Sequence, residues 1–190
     1  MPGSMRPGLV EVEGATATNP LDQFGAVSAA FELYHAELFN FLRRSTRDEA
    51  AAEDLLQETY LRLTREVDAD RVPEHVRGWL YRVASNLAIS RGRRRTTAID
   101  WMRRYGRQAA GDDVDSPEIG LLARERTSVI DAALGTLPAD ARTALLLSAD
   151  GFSGEEIAAA IGRSHAATRT LLSRSRVRVR LELEQRGATP

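Results

Sequence analysis

Apolar residues recur at helical spacing along most of the chain, and no strand-like alternation of useful length interrupts them. Phe24, Val27, Phe31, Leu38 and Phe41/Leu42 mark the inner side of a first helix from Asp22 to about Arg44. Ala52, Leu56, Tyr60, Leu63 and Val67 fall at i, i+4, i+8, i+11 and i+15, which predicts a second helix from about Asp48 to Val67. A loop at Asp68–Glu74, broken by Pro73, leads to a third helix from about Val76 to Arg95, with Leu80, Val83, Ala84 and Leu87 as its core stripe. Ser116-Pro117-Glu118 gives an N-cap, a proline at the first helical position and an acidic first turn. That helix ends near Gly135, and another runs from near Pro138 to Asp150-Gly151. Ser153 opens a capping box with Glu156 ahead of Ile157, Ala158 and Ile161. Gly162 makes the next break, and Ser164 caps a last long helix to about Gln185. The expected architecture is all-α: two small helical domains, residues 21–95 and 117–185, joined by a flexible linker at 96–116, with disordered tails at 1–20 and 186–190.

Charge sharpens this division. The net charge of −1 hides a strong segregation. Residues 1–76 carry 7 Arg against 14 acidic side chains, residues 77–107 carry 9 Arg against one Asp, and residues 162–186 carry 7 Arg against 2 Glu. Separated acidic and basic blocks imply different partners for different segments. Every basic residue is Arg. Its planar fork suits phosphates and base edges, although the exclusive use of Arg also fits a codon bias.

Composition excludes several classes. The chain has no cysteine, so disulfides, thiolate metal sites and cysteine nucleophiles are ruled out together. This suits a reducing cytoplasm. There is no apolar signal core and no long apolar run, so neither export by that route nor membrane insertion is expected. His35, His75 and His165 are far apart and none sits at metal-ligand spacing. No glycine-rich phosphate loop or nucleophile elbow occurs. Asp54 and Glu58 are one turn apart, but an exposed helix face offers no cleft to shift their pKa. No catalytic residue, metal or cofactor is expected.

Three faces carry candidate binding chemistry. Opposite the core stripe of the second helix lie Asp54, Gln57, Glu58, Leu61 and Arg65, which place one leucine inside a polar ring. This is either a partner anchor with a polar rim or a stray surface leucine on a solvated face. On the third helix Arg82, Ser85, Asn86 and Arg93 face outward, and Arg91, Arg93, Arg94 and Arg95 crowd its end. Cations are favoured there by the helix dipole. Four in five residues, followed by Arg103, Arg104 and Arg107, exceed that need and invite a polyanion. Trp79 and Tyr81 interleave with these charges, either as stacking platforms or as core aromatics. The segment from Gly154 to Gln185 reads as a helix-turn-helix. Its second helix carries Arg169, Ser173, Arg176 and Arg180 in one stripe, with Thr170 and Arg174 beside it, while Leu172, Val179, Thr168 and Ser175 face inward. An ordinary helical hairpin with a charged outer face would show the same pattern.

Ala52-Glu53-Asp54-Leu55-Leu56-Gln57-Glu58-Thr59-Tyr60-Leu61-Arg62 and Arg77-Gly78-Trp79-Leu80-Tyr81-Arg82-Val83-Ala84-Ser85-Asn86-Leu87-Ala88-Ile89 resemble region 2 of the extracytoplasmic-function, or group 4, sigma factors. Leu137-Pro138 to Leu147, with Gly151-Phe152-Ser153-Gly154-Glu155-Glu156-Ile157-Ala158, resembles their region 4. The resemblance implies a sigma-70 family protein that binds core RNA polymerase at the β′ clamp helices and the β flap, recognises promoter DNA, and answers to an anti-sigma factor. It implies that Asp54, Gln57, Glu58 and Leu61 dock on the clamp helices. It implies that the loop Asp68–Glu74 captures a flipped base of the −10 element. Trp79, Arg82, Asn86, Arg91, Arg93, Arg94 and Arg95 would then hold the −10 DNA, and Ser164, His165, Arg169, Thr170, Ser173, Arg174, Arg176 and Arg180 would meet the −35 element. The acidic linker would thread toward the active site of the polymerase. The sequence departs from the family pattern at Ser90, where an acid is usual, at Thr168, where a buried valine is usual, and at Leu171, where an arginine is usual. The readings that compete with this one are a free-standing helix-turn-helix regulator and a helical adaptor whose Arg patches pair with an acidic protein.

Overall fold

The computed structural model of the chain describes residues 20–105 and 129–187. The expected tails at 1–19 and 188–190, the rest of the expected linker from 106, and the helix start at Ser116-Pro117-Glu118 lie outside them. The described residues form α1 (Pro20–Thr46), α2 (Glu49–Asp68), α3 (Val76–Tyr105), α4 (residues 129–135), α5 (Ala139–Ala149), α6 (Gly154–Ile161) and α7 (His165–Gln185), and contain no strand.

Local chemistry sets the boundaries. The Asp48 carboxylate accepts from the Ala51 amide and caps α2. Ser153 and Glu156 form the reciprocal capping box of α6, and Gly162 ends that helix in the left-handed region at φ 66°. The Ser164 hydroxyl accepts from the Ala167 amide and starts α7. One boundary differs from expectation: α3 does not stop at Arg95 but runs on to Tyr105. No glycine or proline interrupts residues 96–105, and Thr96 and Thr97 donate their hydroxyls to the Gly92 and Arg93 carbonyls within the helix.

Helices α1, α2 and α3 pack on one another, and α6 and α7 pack on each other and on α5. The sequence does not foretell what joins them. α3 lies against both α5 and α6, and α1 lies against α5, so one apolar cluster runs through both units. It includes Leu38, Phe41, Leu63, Leu80 and Tyr81 from the first unit and Leu137, Leu147, Ile157 and Leu172 from the second. Small residues permit the close approach of α3 and α5: a Cβ on Gly92 would meet the Ala139 methyl at 2.5 Å.

Polar groups stitch the same seam. The buried hydroxyls of Ser45 and Thr143 lie 2.8 Å apart. Arg142 donates from Nη1 to the Ser45 carbonyl at 2.8 Å, from Nε to the Leu134 carbonyl and from Nη2 to the Leu137 carbonyl, each at 3.0 Å. Burial pushes its pKa down to about 10, and the nearby Arg47 and Arg95 charges push the same way. At the other end, the Arg77 guanidinium sits 4.8 Å from the Phe152 ring centroid and 5.1 Å from that of Tyr81, and donates to the Asp150 carbonyl at 3.4 Å. Tyr81 and Phe152 are themselves 4.8 Å apart, centroid to centroid.

Three side chains lie elsewhere than the periodicity places them. Ser85, expected outward, is fully buried, and its hydroxyl has no hydrogen-bond partner. Tyr81, read as interleaving with a basic surface, is buried, because α6 and Phe152 cover the side of α3 that a three-helix bundle would leave open. Phe31, read as core, is 46% exposed and stacks on His35.

Candidate nucleic-acid and partner interfaces

The first interface is the outer face of α2. Burial of Ala52, Tyr60, Leu63 and Val67 against α1 and α3 turns Asp54, Gln57 and Leu61 outward. Leu61 is 53% exposed; several other large apolar side chains of the described residues are exposed too, Leu33 and Val177 among them. Glu58 is half-buried and pairs with Arg62 at 2.8 Å, which fixes one edge of the rim. The arrangement gives an apolar contact ringed by acidic and amide groups.

The second lies along α3. Arg82, Asn86, Arg93, Arg94 and Arg95 are exposed. Arg91 is exposed too but reaches Asp48 at 3.4 Å, so part of its charge is answered within the chain. Trp79 is half-buried and packs on the core cluster. It also lines a cleft of about 370 Å³ with Pro73, Glu74, His75, Gly78 and Arg82 on one wall and Phe152, Glu156 and Ala159 of the second unit on the other. Further along, Arg93, Arg94, Thr97, Ala98 and Trp101 frame a second cleft of about 470 Å³. Trp101 falls within the expected linker at 96–116. The helical continuation past Arg95 brings this 63% exposed indole beside the arginines.

The third is α7. Thr168, Leu172 and Ser175 are buried, which turns Arg169, Ser173, Arg174, Arg176 and Arg180 outward. Thr168 is buried, and its hydroxyl is satisfied by donating to the Ser164 carbonyl at 3.0 Å, so a polar residue is tolerated where an apolar one is usual. The eight candidates are not equivalent. The Ser164 hydroxyl is engaged in the cap, the Thr170 hydroxyl donates to the Ala166 carbonyl, and Arg176 donates to the Ser148 hydroxyl at 3.0 Å. His165 is exposed but leans on Gly154, where an added Cβ would come within 2.8 Å of its Nε2. Leu171, where an arginine is usual in the pattern, is half-buried against the core.

Among the described residues no group of three or more His, Cys, Asp or Glu could hold a metal ion, and no helix is long and apolar enough to cross a membrane.

Two family models match, sigma-70 region 2 over residues 30–98 and sigma-70 region 4 over residues 128–179. The chain is 31% identical to the RNA polymerase sigma-H factor of Pseudomonas aeruginosa over 160 residues, 77% of this chain and 82% of that one. It is 33% identical to the ECF RNA polymerase sigma factor SigE of Mycolicibacterium smegmatis over 152 residues. The chain belongs to the extracytoplasmic-function sigma-70 family. It spans 57% of the length of SigE and 37% of a probable RNA polymerase sigma factor, RfaY, of Xanthomonas campestris, less than two thirds of either. The fold agrees with that of the sigma factor RpoE of Bartonella quintana, solved with the anti-sigma factor NepR, at a TM-score of 0.64 and 24% identity over 84% of this chain and 97% of that one. In sigma-factor terms, α1, α2 and most of α3 are region 2, and α4 to α7 make up region 4. The region 2 match ends at Ala98, so Trp101 lies beyond it.

Proposed function

We propose that this chain is a promoter-specificity subunit of bacterial RNA polymerase, which works by binding and catalyses nothing itself. One observation carries the reading: a region 2 unit with an acid-ringed leucine on one helix and a basic face on the next is followed by a capped helix-turn-helix whose last helix turns arginines outward. Asp54, Gln57, Glu58 and Leu61 dock on the polymerase, at the clamp helices of its β′ subunit, and region 4 takes the β flap. The loop Asp68–Glu74, with Trp79, Arg82 and Asn86, holds an unstacked base of the −10 strand, since a flipped base needs both a stacking surface and polar groups for its edge. Arg91, Arg93, Arg94 and Arg95 neutralise the neighbouring phosphates. On α7, Arg169 near the N-terminal end meets base edges of the −35 element, while Arg174 and Arg180 take phosphates and position the helix. With Ser164, Thr170 and Arg176 held by intrachain partners, their contribution to the DNA contact is secondary. An anti-sigma factor is the expected antagonist: RpoE of Bartonella quintana was solved in complex with the anti-sigma factor NepR, and CnrH with the cytosolic domain of CnrY.

The test is reconstituted transcription on genomic fragments with core enzyme. Defined start sites that depend on the chain are expected. The Asn86→Ala variant should retain core binding yet show reduced permanganate reactivity of the −10 strand. A chain that co-purifies with no core subunit and directs no start site would overturn the reading.

A further inference from the structure

Three arginines from separate elements converge beside α5. Arg142 donates to the Leu134, Leu137 and Ser45 carbonyls, all of them neutral acceptors. Arg47, in the turn between α1 and α2, reaches the same stretch of chain: a Cβ built on Gly135 would come within 2.5 Å of its Nη1 and 2.8 Å of its Cζ. The two guanidinium groups therefore meet at the Leu134–Gly135 peptide. Arg95 follows Gly92 by one turn of α3, and Gly92 abuts Ala139, one turn ahead of Arg142. After burial, the charges of Arg47 and Arg95 are what lower the Arg142 pKa, which puts both within coulombic reach of it.

No acid answers this group. Asp48, Asp131 and Asp140, from the same segments, are each engaged by another arginine: Asp48 by Arg91 at 3.4 Å, Asp131 by Arg44 at 3.7 Å, and Asp140 by Arg163. Among the described residues no carboxylate pairs with Arg47, Arg95 or Arg142. Like charges held together repel unless an anion sits among them. The cations are also fixed in advance. Three carbonyls hold Arg142, and Arg47 rests on Gly135 from a left-handed backbone at φ 59°, a conformation uncommon for any residue with a side chain. Arg47 and Arg95 are exposed and Arg142 is half-buried, so the group is open to a ligand.

We infer that Arg47, Arg95 and Arg142 form a binding site for a free diphosphate or triphosphate group. Guanidinium forks suit phosphate oxygens, and cations placed before the ligand arrives lose little freedom on binding it. A nucleic-acid backbone brings one charge per phosphate, spaced along the strand, whereas a diphosphate gathers two or more at one point. Arg95 is also one of the arginines proposed above to meet −10 phosphates, so an occupied site withdraws one charge from that face. That consequence alone rests on the promoter reading; the site itself does not.

Calorimetric titration of the full chain with inorganic pyrophosphate, at matched ionic strength, tests the site without polymerase or promoter. One saturable site per chain is expected, with inorganic phosphate binding more weakly and the thermal midpoint rising with pyrophosphate concentration. Arg47→Gln and Arg95→Gln should each weaken pyrophosphate at least about tenfold, the loss expected of one charge-assisted contact. Arg142 is left in place because it bonds three carbonyls. Arg94→Gln removes another exposed charge at the preceding position of α3 and should change the affinity by less than about twofold. Helical circular dichroism checks that each variant is folded. Three results would overturn the inference. One is the absence of saturable binding by the wild-type chain. Another is an equal loss in Arg94→Gln, which would mean diffuse attraction to the basic end of α3. The third is an oligonucleotide that, at equal phosphate concentration, binds more tightly than pyrophosphate and loses as much to Arg47→Gln, which would make the site one for nucleic-acid backbone.

Discussion

Leu61 stands more than half exposed on α2 with Asp54, Gln57 and Glu58 around it. An apolar side chain so placed contributes nothing to the core, so replacing it tests binding without testing folding. Leu61→Arg should weaken the complex with core polymerase by about 2 kcal/mol, roughly thirtyfold, as for a central interface anchor. Fluorescence titration reads the affinity, and the helical circular dichroism should not change. Ser85 presents the opposite case. Its hydroxyl is buried in α3 with no partner, and a group left so loses its water for nothing. Ser85→Ala should therefore stabilise the chain by about 1 kcal/mol, read from denaturant midpoints at constant slope. A fall in stability would mean that the hydroxyl has a partner in solution.

Among the elements, α3 and α7 carry the two exposed basic faces proposed to meet DNA. The outward arginines of α7 are all exposed but not alike, because Arg176 also donates to the Ser148 hydroxyl on α5. Arg169→Ala should cost about 1–3 kcal/mol on the preferred −35 sequence and relax preference at one or two positions. Arg180→Ala should weaken all sequences nearly equally and lower the salt slope by about one. Binding of the full chain with core enzyme to a −35 library at several salt concentrations distinguishes the two, and an identical loss of affinity with unchanged preference for both would refute the division. α3 reaches further than its family match, at 30 residues about 45 Å long, and carries its basic face past Arg95 to Trp101.

At the scale of the whole molecule, the packing of region 4 on region 2 makes Gly92 a sensitive position. Gly→Ala within a helix usually stabilises by about 1 kcal/mol. Here the new methyl would meet Ala139 at 2.5 Å, and that methyl is fixed to the α5 backbone rather than to a side chain that can swing away. Gly92→Ala should therefore open the seam: small-angle scattering should show a larger radius of gyration with no loss of helix. An unchanged radius with a raised midpoint would show that α5 adjusts at no cost.

The apolar period, the caps and the charge blocks were local facts, and they determined the order of the described helices, most of their bounds other than the end of α3, and the outward faces of α2 and α7. Asp48, Ser153 and Ser164 cap the helices they precede because the orphan amides of a helix start are satisfied by the residues just before it. What lay beyond reach came from contacts between segments distant in the chain. Periodicity assigns one buried stripe per helix, whereas α3 is covered from two sides, by α1 and α2 and again by α5 and α6, so Tyr81 and Ser85 are buried though a single stripe leaves them out. Likewise nothing local announces that Ser45 will meet Thr143 or that Arg77 will lie over Phe152. Those pairings depend on how two units dock, which is set by shape and by the satisfaction of buried polar groups, and only the tertiary structure decides it.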